Sequence, residues 1–150
     1  MAVTLGQRDD EAGAQAAAAL GELLDGRTAL VVSSDFTHYG PNFGYVPFRT
    51  NVEANLRKLD GGAVAKILAG DAAGFAAYCD ETGATICGQD PIGVLLRMLP
   101  EKFTARELAH DASGRGTGDW NNSVSYEAIA FYGAGRPAKK AAAPAANAAE

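Results

Sequence analysis

Cationic residues are in the minority, with 13 Lys and Arg against 18 Asp and Glu and a net charge of −5. Nucleic-acid binding leaves a basic patch or stripe, and the cations here are scattered, so nucleic acid is set aside as a partner. Long apolar runs are also missing. No stretch nears the roughly 20 residues that a membrane span requires, and no charged n-region leads into an apolar h-region. Neither a membrane nor secretion is therefore expected. The chain has only 2 cysteines, too few for a disulfide framework in a core-sized domain, which fits a reducing, cytoplasmic setting. Histidine is as scarce, with only His38 and His110.

What is present reads as one α/β domain followed by a tail. At 150 residues the chain is long enough to bury a single core. Met1 to Gly6 reads as a strand, near residues 2 to 5, ending at a turn glycine. Asp9 to Leu24 is alanine-rich and helical, opened by two aspartates at the positive helix end and stopped by Gly26. Residues 28 to 33 are apolar without alternation, the pattern of a buried parallel strand. Helical spacing then predicts helices over 52–59, 62–68, 72–82 and 91–99, with Asp71 and Asp90-Pro91 as start signals. Two strands close the domain, over 104–112 and 123–133, joined through the flexible glycine-rich stretch 113–119. Packed together, these elements predict a mixed sheet flanked by helices. The domain is expected to occupy 1–134, and the Ala/Pro/Lys-rich 135–150 to be disordered.

Two loops carry the residues of chemical interest. Val31-Val32-Ser33-Ser34-Asp35-Phe36-Thr37-His38-Tyr39-Gly40 delivers a carboxylate and an imidazole just past an apolar strand, where α/β sheets place their ligands. Thr85-Ile86-Cys87-Gly88-Gln89-Asp90-Pro91 sets a thiol ahead of a helix start, whose positive potential favours the thiolate. Read from spacing alone, Cys87 fits a buried structural thiol as well as a reactive one. His38 fits a loop hydrogen bond as well as a ligand. Asp35 fits a turn cap, or a carboxylate that orients His38. Cys79 shares a helical face with Phe75 and reads as core. Ser33-Ser34 lacks a G-x-S-x-G elbow, and 113–119 lacks the Gly-Lys-Ser/Thr ending of a phosphate loop. Trp120 and Tyr126 read as packing residues.

These loops, with Phe43-Gly44-Tyr45, Asp90-Pro91-Ile92-Gly93 and a third segment, resemble the Memo family. The third segment is Ala112-Ser113-Gly114, Thr117-Gly118-Asp119 and Ser123-Val124-Ser125-Tyr126 leading into Ala128-Ile129-Ala130. Prokaryotic members of that family are the AmmeMemoRadiSam system protein B. The resemblance runs from about residue 3 to 133 and covers only the C-terminal part of a Memo domain. It implies a missing N-terminal portion that would supply two further histidines to the pocket; His110 falls where the family more often has tyrosine.

The resemblance implies a fold like that of the class III extradiol dioxygenases. It also implies a metal pocket with His38 and Cys87 as ligands and Ser34, Asp35, Tyr39 and Tyr45 lining or supporting it. Iron or copper is the implied metal, zinc less so, no nucleotide is implied, and the implied activity is redox or dioxygenase-like. Two departures stand against it: a thiolate favours softer metals than a facial triad holds, and two protein ligands are fewer than a tight site uses. The alternative is a non-catalytic module holding a peptide or small ligand in the same pocket, with Phe36, Tyr39, Phe43 and Tyr45 as walls. AMMECR-type and radical-SAM partners are implied by the family name alone. Self-association is expected if sheet edges are left uncovered.

Overall fold

The computed structural model describes residues 1–5 and 10–133. The expectations for the turn at Gly6, the helix start at Asp9 and the disordered 135–150 lie outside those residues. Among the described residues the elements follow in the order α1 (Asp10–Leu23), β1 (His38–Tyr39), α2 (Val52–Leu68), α3 (Ala72–Thr82), α4 (Gln89–Met98), β2 (Phe103–Ala112), α5 (Ser113–Thr117) and β3 (Ser123–Gly133). A 3-10 turn, Pro41–Phe43, follows β1.

The sheet is antiparallel throughout, not mixed, in the order β1-β3-β2. The chain between β2 and β3 turns through α5, so the stretch expected to be a flexible connection is partly helical. This short link returns the chain alongside itself, and only a longer crossover could make the pair parallel. A bulge between Glu107 and Ala109 shifts the β2–β3 register. Because strand side chains alternate, one extra residue inverts the facing of everything beyond it. Phe103, Ala105 and Glu107 are shielded on one side of the bulge, and His110 and Ala112 on the other, while Leu108 and Ala109 are exposed.

Residues 1–5 and 28–33 form no strand. A buried parallel strand needs partners on its edges, and among the described residues none pairs with 28–33. Val31 is accordingly 85% exposed. With α1, α4 and β3, this extended segment borders an open trough of about 990 Å³ lined by Ala17, Leu30, Val31, Ile92, Ile129 and Phe131.

The helices expected over 52–59 and 62–68 are one. Gly61-Gly62 does not break α2, because Gly62 is where α3 comes closest: a Cβ there would collide with the Tyr78 ring. The Tyr78 hydroxyl donates to the Leu59 carbonyl at 2.9 Å. Asp71 caps α3 by accepting from the Gly74 amide at 2.7 Å, a contact typically worth about 1 kcal/mol. The core joins α2, α3, α4 and the loop residues Phe36, Ala84 and Ile86, with Ile129 and Phe131 of the sheet packed against it. Cys79 lies in that core, 3% exposed, as its helical face implied. Trp120 packs over Gly114, but Tyr126 is 43% exposed and is not a packing residue. Alternation puts it on the face opposite its buried neighbour Ser125.

Candidate metal pocket

The two loops singled out by sequence lie against each other, held by backbone and hydroxyl contacts. Thr85 is the main clasp. Its hydroxyl accepts from the His38 amide at 2.9 Å and donates to the His38 carbonyl at 2.8 Å. Ser34 is the second clasp: its hydroxyl accepts from the Gly88 amide at 2.9 Å and donates to the Asp35 carbonyl at 2.7 Å. Gly88 has to be glycine for this approach, since a Cβ would overlap the Ser34 side chain. Ser34 is thus committed to holding loops together rather than to attack.

On that frame Asp35 touches both candidate ligands. Its backbone amide points at the Cys87 sulfur at 3.3 Å, and its Oδ2 lies 3.7 Å from Nε2 of His38. The other imidazole nitrogen, Nδ1, is 3.0 Å from the Thr85 carbonyl. A carbonyl can only accept, so Nδ1 carries the proton and the lone pair of neutral His38 sits on Nε2, on the Asp35 side. Phe43 stands edge-on to the imidazole, with ring centroids 5.2 Å apart. The cluster is open to water: Cys87 is exposed, and the His38 and Asp35 side chains are 22% and 49% accessible. Cys87 lies immediately before Gly88, the N-cap of α4.

The donor types suit a transition metal; their number falls short. Among the described residues no group of three or more His, Cys, Asp or Glu is arranged to hold an ion. Any ion held by His38 and Cys87 would need further ligands from water or from another polypeptide segment.

The two tyrosines expected at the pocket brace the loop instead. The Tyr39 hydroxyl donates to the Phe48 carbonyl at 2.6 Å while its ring stacks on Phe48. The Tyr45 hydroxyl donates to the Thr82 carbonyl at 2.8 Å. Burial, with the nearby Tyr78 and Asp60, raises the Tyr45 pKa above the usual phenol value. Phe36 is buried at 4%.

Sequence reasoning missed a second polar cluster. Asp60, fully buried on α2, accepts from the Thr37 hydroxyl at 2.6 Å. Its Oδ2 lies 3.6 Å from Nε2 of His110, which is 3.9 Å from Oε1 of Glu127. Arg57 closes the cluster by pairing with Glu107 and, at 3.2 Å, with Glu127. Burial first, then repulsion from Glu107, pushes the Glu127 carboxyl up to about 8, against the pull of Arg57. One clue was available: Asp60 falls on the apolar stripe of Leu56, Ala63, Val64 and Ile67 at helical spacing.

A family model for Memo-like proteins matches residues 1–130. The chain belongs to the Memo family. A MEMO1 family protein of Thermococcus onnurineus is 29% identical over 137 residues, which are 86% of this chain and 47% of the relative. One of Pyrobaculum aerophilum is 37% identical over 110 residues, 71% of this chain and 35% of the relative. Human protein MEMO1 is 32% identical over 120 residues, 73% of this chain and 40% of the relative. The chain therefore spans less than half the length of these relatives. Among the described residues no helix is long and apolar enough to cross a membrane.

Proposed function

We propose that His38 and Cys87, with Asp35 beside them, contribute part of a binding site for a late first-row transition ion, iron or copper ahead of zinc. The observation that carries this reading is the placement of Asp35, whose carboxylate faces the His38 lone pair while its amide faces the Cys87 sulfur. The Thr85 carbonyl fixes the tautomer from behind, the arrangement found behind ligating histidines. The Asp35 amide, 3.3 Å from the Cys87 sulfur, holds the thiol on the same side of the pocket as the imidazole. Bound there, such an ion would supply redox or Lewis-acid chemistry. The chain's own residues would hold it, orient the imidazole and leave an approach open to solvent. The binding-module alternative draws less support, since Phe36 and Tyr39 are buried and both tyrosine hydroxyls are already engaged.

Competition titration of purified protein against a colorimetric chelator tests the reading. With so few ligands, uptake of Cu(I) or Fe(II) is expected to be weak. It should fall as pH drops, because both thiolate and neutral imidazole must be free of protons. His38→Ala and Cys87→Ser should each weaken it at least about tenfold, in line with the loss of a metal-binding contact. Cys79→Ala, a core change, should not. Equal uptake by wild type and both pocket variants would remove the metal reading and leave the binding module.

A further inference from the structure

Asp60 occupies a position that stability alone would give to an apolar residue. It lies on the stripe of α2 that otherwise presents Leu56, Ala63, Val64 and Ile67, and it is 0% exposed. Taking a carboxylate out of water is unfavourable unless every lone pair is met. That condition is not satisfied here. Asp60 Oδ2, His110 Nε2 and Glu127 Oε2 are all buried and make no hydrogen bond. The one short contact of the Asp60 carboxylate is Oδ1 to the Thr37 hydroxyl, at 2.6 Å.

Thr37 is the hinge between this cluster and the pocket. It is 0% exposed and directly precedes His38. Its carbonyl accepts from the Ser125 amide at 3.0 Å, and the Phe36 amide donates to the Ser125 carbonyl at 2.9 Å. The main chain at 36–37 is therefore pinned to β3, and Asp60 pins the side chain from the helix beneath. The segment from Asp35 to His38 is thus anchored by β3, by Asp60 and by Thr85.

We propose that Asp60 is a positioning residue for the exposed pocket: through its hydrogen bond to Thr37 it fixes the segment from Asp35 to His38. The inference rests on the reading of Asp35, His38 and Cys87 as a metal pocket. Its physical core, a buried carboxylate acting on the orientation of His38, can be measured without metal. Charged and titratable groups face Asp60 from each packed element: Arg57 on α2, Glu107 and His110 on β2, Glu127 on β3, and Tyr45 and Tyr78 from the loop and α3. Asp60 thus faces several elements at once, and among the described residues Thr37 links it to the pocket by a direct hydrogen bond.

The test uses Thr37→Val, which keeps shape and removes the hydroxyl, Thr37→Ser, which restores it, and Asp60→Asn, which removes the charge but retains an acceptor. The readouts are the His38 ring NMR signals at one fixed pH in the metal-free full chain, with Cu(I) affinity by chelator competition. Thr37→Val should move the His38 signals and weaken Cu(I) about fivefold or more, and Thr37→Ser should return both toward wild type. Asp60→Asn should move the signals with a smaller loss of affinity. A merely structural Asp60 would lower the melting temperature of these variants and leave the His38 signals where they were, and that result overturns the proposal. If Thr37→Val does not fold, unmoved His38 signals in folded Asp60→Asn overturn it equally. Should wild type take up no Cu(I), the metal reading fails, while the His38 signals still decide whether Asp60 positions the segment.

Discussion

The two histidines face aspartates at nearly the same distance, His38 to Asp35 at 3.7 Å and His110 to Asp60 at 3.6 Å, yet the pairs live under different physics. The first pair stands at the surface with its carboxylate half accessible; the second is sealed, with Asp60 at 0% and the His110 side chain at 8%. Water screens the exposed pair, so its geometry costs little to keep and little to lose, and its groups stay available to a ligand. Beneath the sheet no water screens anything, and every unmatched atom is paid for in stability. The same pair of side chains is therefore accessible in one place and sealed in the other.

The largest test of that contrast is removal of each carboxylate. Asp60→Ala should lower unfolding free energy by about 3 kcal/mol or more, since it strips the partner from Thr37 and His110 and leaves a cavity. Asp35→Ala should change it by less than about 1 kcal/mol. Urea unfolding monitored by circular dichroism measures both, and equal losses would erase the distinction.

A smaller effect sharpens the electrostatics of the buried cluster. The Glu127 carboxyl is raised from 4.5 to about 8. Between those values the folded chain holds a proton that the unfolded chain releases. Its contribution to stability is therefore fully present below about 4.5 and lost as pH rises through 8. Glu127→Gln, which mimics the protonated form, should become the more stable protein by roughly 1–2 kcal/mol at pH 9. The gap should narrow toward pH 5. Parallel pH–stability curves for the two proteins would contradict the raised value.

The smallest effect concerns the apolar segment that stays outside. Val31→Lys should alter stability by no more than about 0.5 kcal/mol, because the side chain is already 85% exposed. If that face drives self-association, sedimentation should show less of it in the variant. A large loss of stability would mean that Val31 is packed after all.

The helices were the most legible part of the chain. The bounds of α3 and β3 coincide with the ranges expected from the sequence, and capping at Asp71 is a local property. Gly61-Gly62 misled because a glycine pair reads as a break, whereas Gly62 serves the close approach of Tyr78. The apolar run 28–33 misled for a different reason: burial of a strand depends on neighbours, which no local pattern reports. Of the candidate site, the juxtaposed loops with Ser34, Asp35, His38 and Cys87 could be anticipated from where a carboxylate, an imidazole and a thiol fall. Tyr39 and Tyr45 could not, because only the fold shows their hydroxyls spent on the Phe48 and Thr82 carbonyls.

Sequence by itself determined the family, most of the helical stretches, the absence of a basic face and the two loops that hold the candidate residues, all of them local or compositional properties. Tertiary structure alone decided that the sheet is antiparallel and that Asp35 sits between His38 and Cys87. It alone decided that His110 turns inward to Asp60. That last placement depends on a single bulged residue near Leu108, which inverts the facing of the strand beyond it. Such an inversion arises from pairing with β3, a long-range contact, and leaves no mark in the residues on either side.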